Sequence, residues 1–465
     1  MSGDALRVAE TEIPGLLVLD LPVHADARGW FKENWQREKM LALGLPDFRP
    51  VQQNVSYNVA AGTTRGIHAE PWDKLVSIAS GRAYCVWVDL REGPTFGRRV
   101  ALELGPERAV FVPRGVGNSY QTLVPDTAYS YLVNEHWRPD AAYTFVNLAD
   151  ESLAIDWPFP LDEVELSPAD RGHPALRDVD PLPARRVVVI GGDGQLGRAL
   201  RIELPGARFV TRRELDLGVP GAIEAHDWSD AAAIVVAAAY TAVDEAETPD
   251  GRRAAWRINA EAVAEAADVA ERLRVPLVTV SSDYVFDGVR TRHDVDEGVA
   301  PLGVYGQTKA AGEFAARRCA RHYIVRTSWV VGEGANFVRT MASLAERGVD
   351  PSVVDDQFGR LTFAGDLAGG IRHLLQTRAP YGTYQLSNGG APQSWFEIAR
   401  AVFEMLGHDP DRVRPVSGEE YGRGLAAAPR PRHSTLDLAK IEATGFRVRD
   451  ARKALREYLG EGRTP

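Results

Sequence analysis

Hydrophobic positions follow two different rhythms along this chain. Up to about residue 166 they come in short runs, Lys74-Leu-Val-Ser-Ile-Ala, Ala83-Tyr-Cys-Val-Trp-Val and Ala109-Val-Phe-Val, stopped by Gly81, Gly93-Pro94 and Pro113. β-Branched and aromatic runs bounded by turn residues predict short strands of a sandwich, barrel or jelly roll, with one helix expected around Glu33 to Leu43. Beyond residue 186 the runs are continuous: Val187-Val-Val-Ile, Ile234-Val-Val-Ala-Ala-Ala and Pro276-Leu-Val-Thr-Val. Such runs suit strands buried on both faces. Between them Ile258, Ala262, Ala266, Val269 and Leu273 recur at helical spacing. The second pattern therefore predicts a parallel sheet wrapped by helices. The segment 167–185, with four prolines, many charges and no sustained period, reads as a linker or as an ordered strap over one domain.

Length changes the picture little. At 465 residues the chain has room for roughly three domains of ~150 residues, but the patterning gives two units, 1–166 and 186–465. The third is read as a small substrate-binding subdomain built from the C-terminal residues. A net charge of −10 argues against an overall attraction to nucleic acid or anionic lipid. Cys85 and Cys319 are the two cysteines, too few for a disulfide framework or a cysteine metal cluster, so a reducing cytoplasm is expected. The first residues carry no basic-then-apolar signal pattern, and the apolar stretch Ala231 to Val243 is too short to span a membrane.

Chemistry in the second half begins at Gly191-Gly-Asp-Gly194-Gln-Leu-Gly197, between a strand and a helix. Glycines there permit a tight turn, close approach of a pyrophosphate and close helix packing, with the phosphates at the helix N-terminus. Arg212 and Arg213 follow the next strand and suit a 2′-phosphate, which favours NADPH; Glu214 keeps NADH open. Tyr305 and Lys309 stand four apart, on one face of a helix. The ammonium beside the phenol is expected to lower its pKa and so help it protonate an alkoxide. Ser282 ends a buried strand, where ligands bind in such sheets.

These motifs closely resemble the extended short-chain dehydrogenases and, among them, the dTDP-4-dehydrorhamnose reductase family. The likeness runs through Ala238-Ala-Tyr240-Thr-Ala-Val-Asp244, Asn259-Ala, Ser282-Asp283-Tyr-Val-Phe-Asp-Gly288, Tyr305 to Glu313, Arg326-Thr-Ser-Trp329, Asn336-Phe and Asp355 to Gly359. It implies an α/β Rossmann-type, doubly wound parallel sheet. Tyr305 would be the acid, Lys309 its orienting partner on the nicotinamide ribose, and Ser282 the hydroxyl where the family commonly has Thr. The cofactor would meet Gly191, Gly194, Gln195, Leu196, Gly197, Arg212, Arg213, Asp216, Ala238, Tyr240, Tyr305 and Lys309. Asp283 and Trp329 would face the sugar. Where some members carry a metal-binding Glu in the helix after the glycine loop this chain has Ala199, so no metal is expected there.

In the first half, Arg65-Gly-Ile-His68 and Lys74 lie on or beside predicted strands, with Tyr131 and Asp150 further on. Together they hold a base, a carboxylate, a cation and an acid, which is what proton abstraction beside a carbonyl requires. This half resembles the cupin-type dTDP-4-dehydrorhamnose 3,5-epimerase family. The matching stretches are Asp26-Ala-Arg28-Gly-Trp-Phe-Lys-Glu33, Gln52-Gln-Asn54-Val-Ser56, Arg65 to His68, Lys74-Leu-Val, Val88-Asp-Leu-Arg91, Pro94 to Gly97, Val112 to Gly115, Asn147 to Asp150 and Ile155 to Pro158. The resemblance implies an all-β jelly roll in which His68 is the base, Asp150 its partner, Tyr131 the opposite-face acid and Lys74 the enolate stabiliser. Arg28 and Arg65 would hold the diphosphate, with Glu33, Gln52, Asn54 and Asn118 also at the substrate. Two positions depart from the family pattern: Asn118 replaces a His, and Glu70 a Gln. No metal is expected in this half either, because only His24, His68 and His136 precede residue 167.

Taken together, the resemblances imply a bifunctional nucleotide-sugar enzyme: 3,5-epimerisation of dTDP-4-dehydro-6-deoxy-D-glucose, then reduction of the C4 ketone to dTDP-L-rhamnose. A dTDP-sugar is the expected partner, with no nucleic acid or membrane, and a homodimer is expected through the N-terminal domain. The alternatives are a related enzyme making another deoxysugar nucleotide and a non-catalytic, reductase-like regulatory subunit.

Overall fold

The computed structural model describes residues 5–139, 143–423 and 427–461. It divides into two compact units, Met1–Ala184 and Arg185–Pro465.

In the first unit the short apolar runs pair into two antiparallel sheets. One runs in the order Arg7–Glu10, Leu17–Asp20, Arg108–Val112, Lys74–Ser80, Thr127–Val133, Gln52–Asn58; the other Thr144–Phe145, Thr64–Ala69, Val116–Thr122, Ala83–Asp89, Arg99–Leu104. Alternate residues of facing strands form one core: Val76, Ile78, Val110 and Tyr129 from the first sheet meet Cys85, Trp87, Val116 and Tyr120 from the second. This is the period-2 burial that the runs predict. Within the second sheet Gly66 admits a close approach, since a Cβ there would lie 2.3 Å from Ser119 Cβ. The expected early helix is shorter, Arg37–Ala42, because the Gln36 side chain caps it and Trp35 turns away to pack edge-on against Phe48.

The segment 167–185 is not a free linker. Asn147 N donates to Pro174 O, the Asn147 amide donates to Arg171 O and His173 O, and Leu182 N donates to Leu90 O. Leu176, Val179 and Leu182 pack on the cluster of Ile67, Val86, Val88 and Leu148. It belongs to the first unit up to Ala184, as the strap alternative has it, and Ser167 caps a short helix, Pro168–Arg171, within it.

The second unit is built on a six-stranded sheet, all parallel, ordered Arg208–Val210, Arg186–Ile190, Ala231–Val236, Leu277–Ser282, His322–Thr327, Gly382–Gln385. Val188, Ile234 and Leu277 point to one core with the helix Ala262–Leu273; Val189, Val235 and Val278 point to another with Gln195–Glu203 and Ala364–Thr377. Burial on both faces explains the unbroken runs. A third core gathers the helices Phe337–Glu346, Trp395–Met405 and Ala451–Glu461. Among the described residues, no helix is long and apolar enough to cross a membrane.

Candidate active sites

The strand Thr64–Ala69 carries His68 between two cavities of the first unit. A smaller one, ≈ 160 Å³, is lined by Ser56, Arg65, His68, Lys74, Asn118 and Tyr131 among others. A larger one, ≈ 610 Å³, is lined by Arg65, His68, Phe145, Asp170 and His173 among others. Lys74 is buried beneath the small chamber, 5.7 Å from the Tyr131 ring centroid and paired with Glu70. Burial, with the Glu70 charge, raises the Tyr131 phenol above its ordinary pKa.

The carboxylate bonded to His68 is Asp170, not Asp150. His68 Nε2 lies 2.7 Å from Asp170 Oδ1. Burial opposes ionisation of Asp170, yet hydrogen bonding and charge from His68 hold it below the usual carboxylate range. Asp150 instead caps the turn Glu151–Leu153 and accepts from Leu176 N. Local backbone donors occupy it. The strap that supplies Asp170 also brings His173, whose ring stacks on Phe145 and lies edge-on to His68. A count of histidines before residue 167 therefore omits the one whose ring packs on His68.

Other expected substrate groups are only partly gathered. Arg65 and Asn118 line the chamber, with Asn118 Oδ1 accepting from the Tyr129 hydroxyl at 2.8 Å. Arg28, 90% exposed, pairs with Asp26, and Glu33 with Lys39. Gln52 and Asn54 bond each other on the sheet edge. None of these four lines either cavity.

In the second unit the glycine loop leads from Arg186–Ile190 into the helix Gln195–Glu203, with Gly194 at its N-cap. A Cβ on Gly197 would sit 2.2 Å from Gly191 O and one on Gly191 2.7 Å from Ala238 N. The loop is thus drawn tightly to the sheet, and no side chain caps the helix start, where the first N–H groups have no acceptor within the helix. Leu196 is buried, and the Gln195 amide donates to Ala335 O. Tyr240 is held by Asn259, whose side chain accepts from Tyr240 N at 2.9 Å and donates to Tyr240 O at 3.0 Å. Asn259 lies in a π-helical turn, Arg257–Glu261, and also donates to Thr308. Arg212 and Arg213 are exposed; Arg212 pairs with Asp216, while Glu214 accepts from both the backbone N–H and the hydroxyl of Thr211.

Ser282 ends the strand Leu277–Ser282, beside the helix Val304–Ala316 that carries Tyr305 and Lys309. The Ser282 hydroxyl bonds Asp283 Oδ1 at 2.9 Å and interacts with the Tyr305 phenol. Lys309 does not depress that phenol: its Nζ donates to Val280 O at 2.6 Å, and burial lowers it to about 8. Burial, helped by the Asp283 charge, pushes Tyr305 up to about 12. Asp283 is itself buried and raised to about 6. Behind the strand a fully buried pair anchors the site: Arg326 donates to both Glu313 oxygens, and the Ser281 hydroxyl to one of them.

A cavity of ≈ 1050 Å³ is lined by Asp244, Phe337, Asp356, Gln357, Trp395, Arg430 and Arg432 among others. Tyr284, edge-on to Tyr305 at 5.5 Å, interacts with Arg430 and so connects it to the phenol. Trp329 stacks on Trp395 at 3.8 Å, and it is Trp395 that lines this cavity.

Comparison with known proteins matches the two units separately. A family model described as dTDP-4-dehydrorhamnose 3,5-epimerase matches residues 10–178, and one described as RmlD substrate binding domain matches 185–464. The "Protein RmlC homolog" of Streptococcus pyogenes is 51% identical over 178 residues, 37% of this chain and 89% of that protein. The dTDP-4-dehydrorhamnose reductase of Mycolicibacterium smegmatis is 33% identical over 305 residues, 63% of this chain and 90% of that one. The chain belongs to both families. A crystal structure of dTDP-4-dehydrorhamnose reductase from Bacillus anthracis in complex with NADP is similar to the second unit: 34% identity, TM-score 0.56, 60% of this chain and 99% of that one. Against the epimerase family's usual pattern, Glu70 in place of Gln puts a carboxylate on Lys74, and Asn118 in place of His serves as an acceptor for Tyr129.

Proposed function

We propose that the chain catalyses two consecutive steps on one nucleotide sugar, 3,5-epimerisation of dTDP-4-dehydro-6-deoxy-D-glucose and reduction of the C4 ketone to dTDP-L-rhamnose. The observation that carries this reading is that one chain holds both sets: His68, bonded to Asp170, lines a chamber with Lys74 and Tyr131, and Ser282, Tyr305 and Lys309 stand in the unit that carries the glycine loop. We read the paired antiparallel sheets as a cupin-type jelly roll and the parallel sheet as a doubly wound Rossmann type.

The C4 ketone acidifies the hydrogens at C3 and C5. With Nε2 held on Asp170, His68 takes each proton on Nδ1, and the Asp170 charge stabilises the imidazolium that forms. The Lys74 ammonium faces the enolate oxygen. Tyr131 returns a proton to the opposite face, which inverts the centre. Glu70 shares the Lys74 cation and so tempers its pull on the enolate.

For the second step the residues fit a dinucleotide, since the space a Gly197 Cβ would need is taken by backbone and the helix start offers N–H groups with no acceptor within the helix. NADPH, when bound, supplies the hydride to C4. Tyr305 gives its proton to the C4 oxygen, Lys309 holds the ribose, and Ser282 orients the phenol. Exposed Arg212 and Arg213 favour the 2′-phosphate of NADPH; Glu214 commits one oxygen, Oε2, to the backbone N–H and hydroxyl of Thr211. Arg430 and Arg432 are suited to the diphosphate in the large cavity. Buried free thiols at Cys85 and Cys319 fit a cytoplasmic enzyme.

A homodimer through the first unit is supported by Val55 and Tyr57, 62% and 58% exposed on the edge strand Gln52–Asn58. Sedimentation equilibrium should give twice 50.9 kDa; a monomer mass would refute it. The two-step reading is tested with His68→Ala. With dTDP-4-keto-6-deoxyglucose and NADPH, rhamnose nucleotide formation should stop while NADPH binding persists, and unchanged turnover would reject the epimerase assignment.

A further inference from the structure

Three metal-ligating side chains converge where the sequence carries no metal motif. Asp170 Oδ1 lies 2.7 Å from His68 Nε2 and 3.9 Å from His173 Nε2. One ligand atom from each of the three lies within 4.8 Å of the other two. The Asp170 and His173 side chains are 8% and 11% exposed, and His68, at 35%, opens to the ≈ 610 Å³ cavity. That cavity gives an ion an approach and leaves room for water as a fourth ligand.

Two imidazole nitrogens and one carboxylate oxygen form a donor set of the kind that holds zinc with an open position. Imidazole favours zinc, copper, nickel and cobalt, whereas magnesium and calcium prefer all-oxygen shells. The third ligand is built in from the side: stacking on Phe145, with centroids 4.8 Å apart and planes 20° apart, sets the His173 ring. The proposed epimerisation gives His173 no task.

We propose that His68, Asp170 and His173 form a binding site for a divalent transition-metal cation of the zinc class, and that its occupancy switches the epimerase chamber off. The inhibitory half rests on His68 acting as the base; the binding half does not. Ligand distances of about 2.0–2.2 Å around one ion require ligand atoms roughly 3.3 Å apart, so the His68–Asp170 pair opens from 2.7 Å and His173 closes on Asp170 from 3.9 Å. The ion takes the Nε2 lone pair, so the remaining ring proton moves to Nδ1, the nitrogen that would receive the sugar proton. Asp170, bound to the ion, no longer faces the imidazolium. Only donor bonds form, no electrons are transferred, and the switch reverses when the ion leaves.

The full-length protein, freed of metal, tests both halves. Zn²⁺ binding is measured calorimetrically, Co²⁺ supplies visible d–d bands that report coordination, and epimerisation is followed as deuterium exchange at C5 without NADPH. We expect one Zn²⁺ site per chain that weakens at least tenfold in His173→Phe, together with loss of the four-coordinate Co²⁺ bands. Saturating Zn²⁺ should cut wild-type exchange at least tenfold, with recovery on chelation, while the variant, compared with its own metal-free rate, responds at least tenfold less. His173→Gln gives a second reading should the first variant fold poorly. Binding unaltered by both variants, or no binding by the wild type at millimolar Zn²⁺, overturns the site. Binding through His173 with undiminished exchange overturns the switch. Absence of exchange in the metal-free wild type removes the epimerase reading, and the Zn²⁺ and Co²⁺ measurements still decide the site.

Discussion

Asp150 and Asp170 are both carboxylates of the first unit, and only Asp170 reaches His68. Asp170→Asn should lower C5 deuterium exchange by about 10²-fold or more, as general acid–base groups do. Asp150→Ala should retain the exchange and lose roughly 1 kcal/mol of stability, the usual worth of a cap, read from a urea midpoint. Nothing local to either residue distinguishes them in the sequence: Asp150 sits in a stretch that matches the epimerase family, and Asp170 lies in a proline-rich segment without period. Only the strap's return brings the second to His68. The positions of His68, Lys74, Tyr305 and Lys309 on strands or a helix are legible in the sequence, because each lies in a run with a clear period or turn boundary; the roles expected of them come from the family resemblance. Lys309 also carries a pH prediction. Its folded value of about 8 lies below the ordinary 10.5, so the cation is present below about pH 8 and lost above it. The kcat/KM of ketone reduction should therefore fall as pH rises through about 8, approaching tenfold per unit; a profile flat to about pH 9.5 would contradict the assignment. The stability sign is opposite: the cost of burying the cation is fully present below about 8 and is relieved as pH rises toward 10.5.

Among the elements, hydrophobic period dictates the buried strands. The runs at Lys74, Ala83 and Val187 become the strands Lys74–Ser80, Ala83–Asp89 and Arg186–Ile190. Long-range contacts decide others. The helical spacing from Ile258 to Leu273 hides a π-helical turn, Arg257–Glu261, that aims Asn259 at Tyr240; such turns recur at functional sites. The strap is ordered by Asn147 and by the cluster around Ile67, partners remote in sequence. A chain ending at Ala184 should keep C5 exchange. One ending at Leu166, the boundary that patterning suggests, should lose at least 10²-fold, because the Asp170 carboxylate on His68 is removed. Equal activity of the two truncations would show that the strap has no part in the chemistry.

In the proposed function, one chain carries two reactions in order, the first supplying the substrate of the second. Its modest net negative charge is compatible with an anionic substrate because the expected diphosphate ligands are a few placed arginines, not a basic surface. The most direct measurement is NMR of the product formed when the purified chain turns over dTDP-4-keto-6-deoxyglucose with NADPH in heavy water. The expected product is dTDP-L-rhamnose carrying deuterium at both C3 and C5, with one NADPH oxidised per sugar. A reduced sugar without deuterium at those carbons, or exchange at C3 and C5 with no NADPH consumed, would contradict the proposed function.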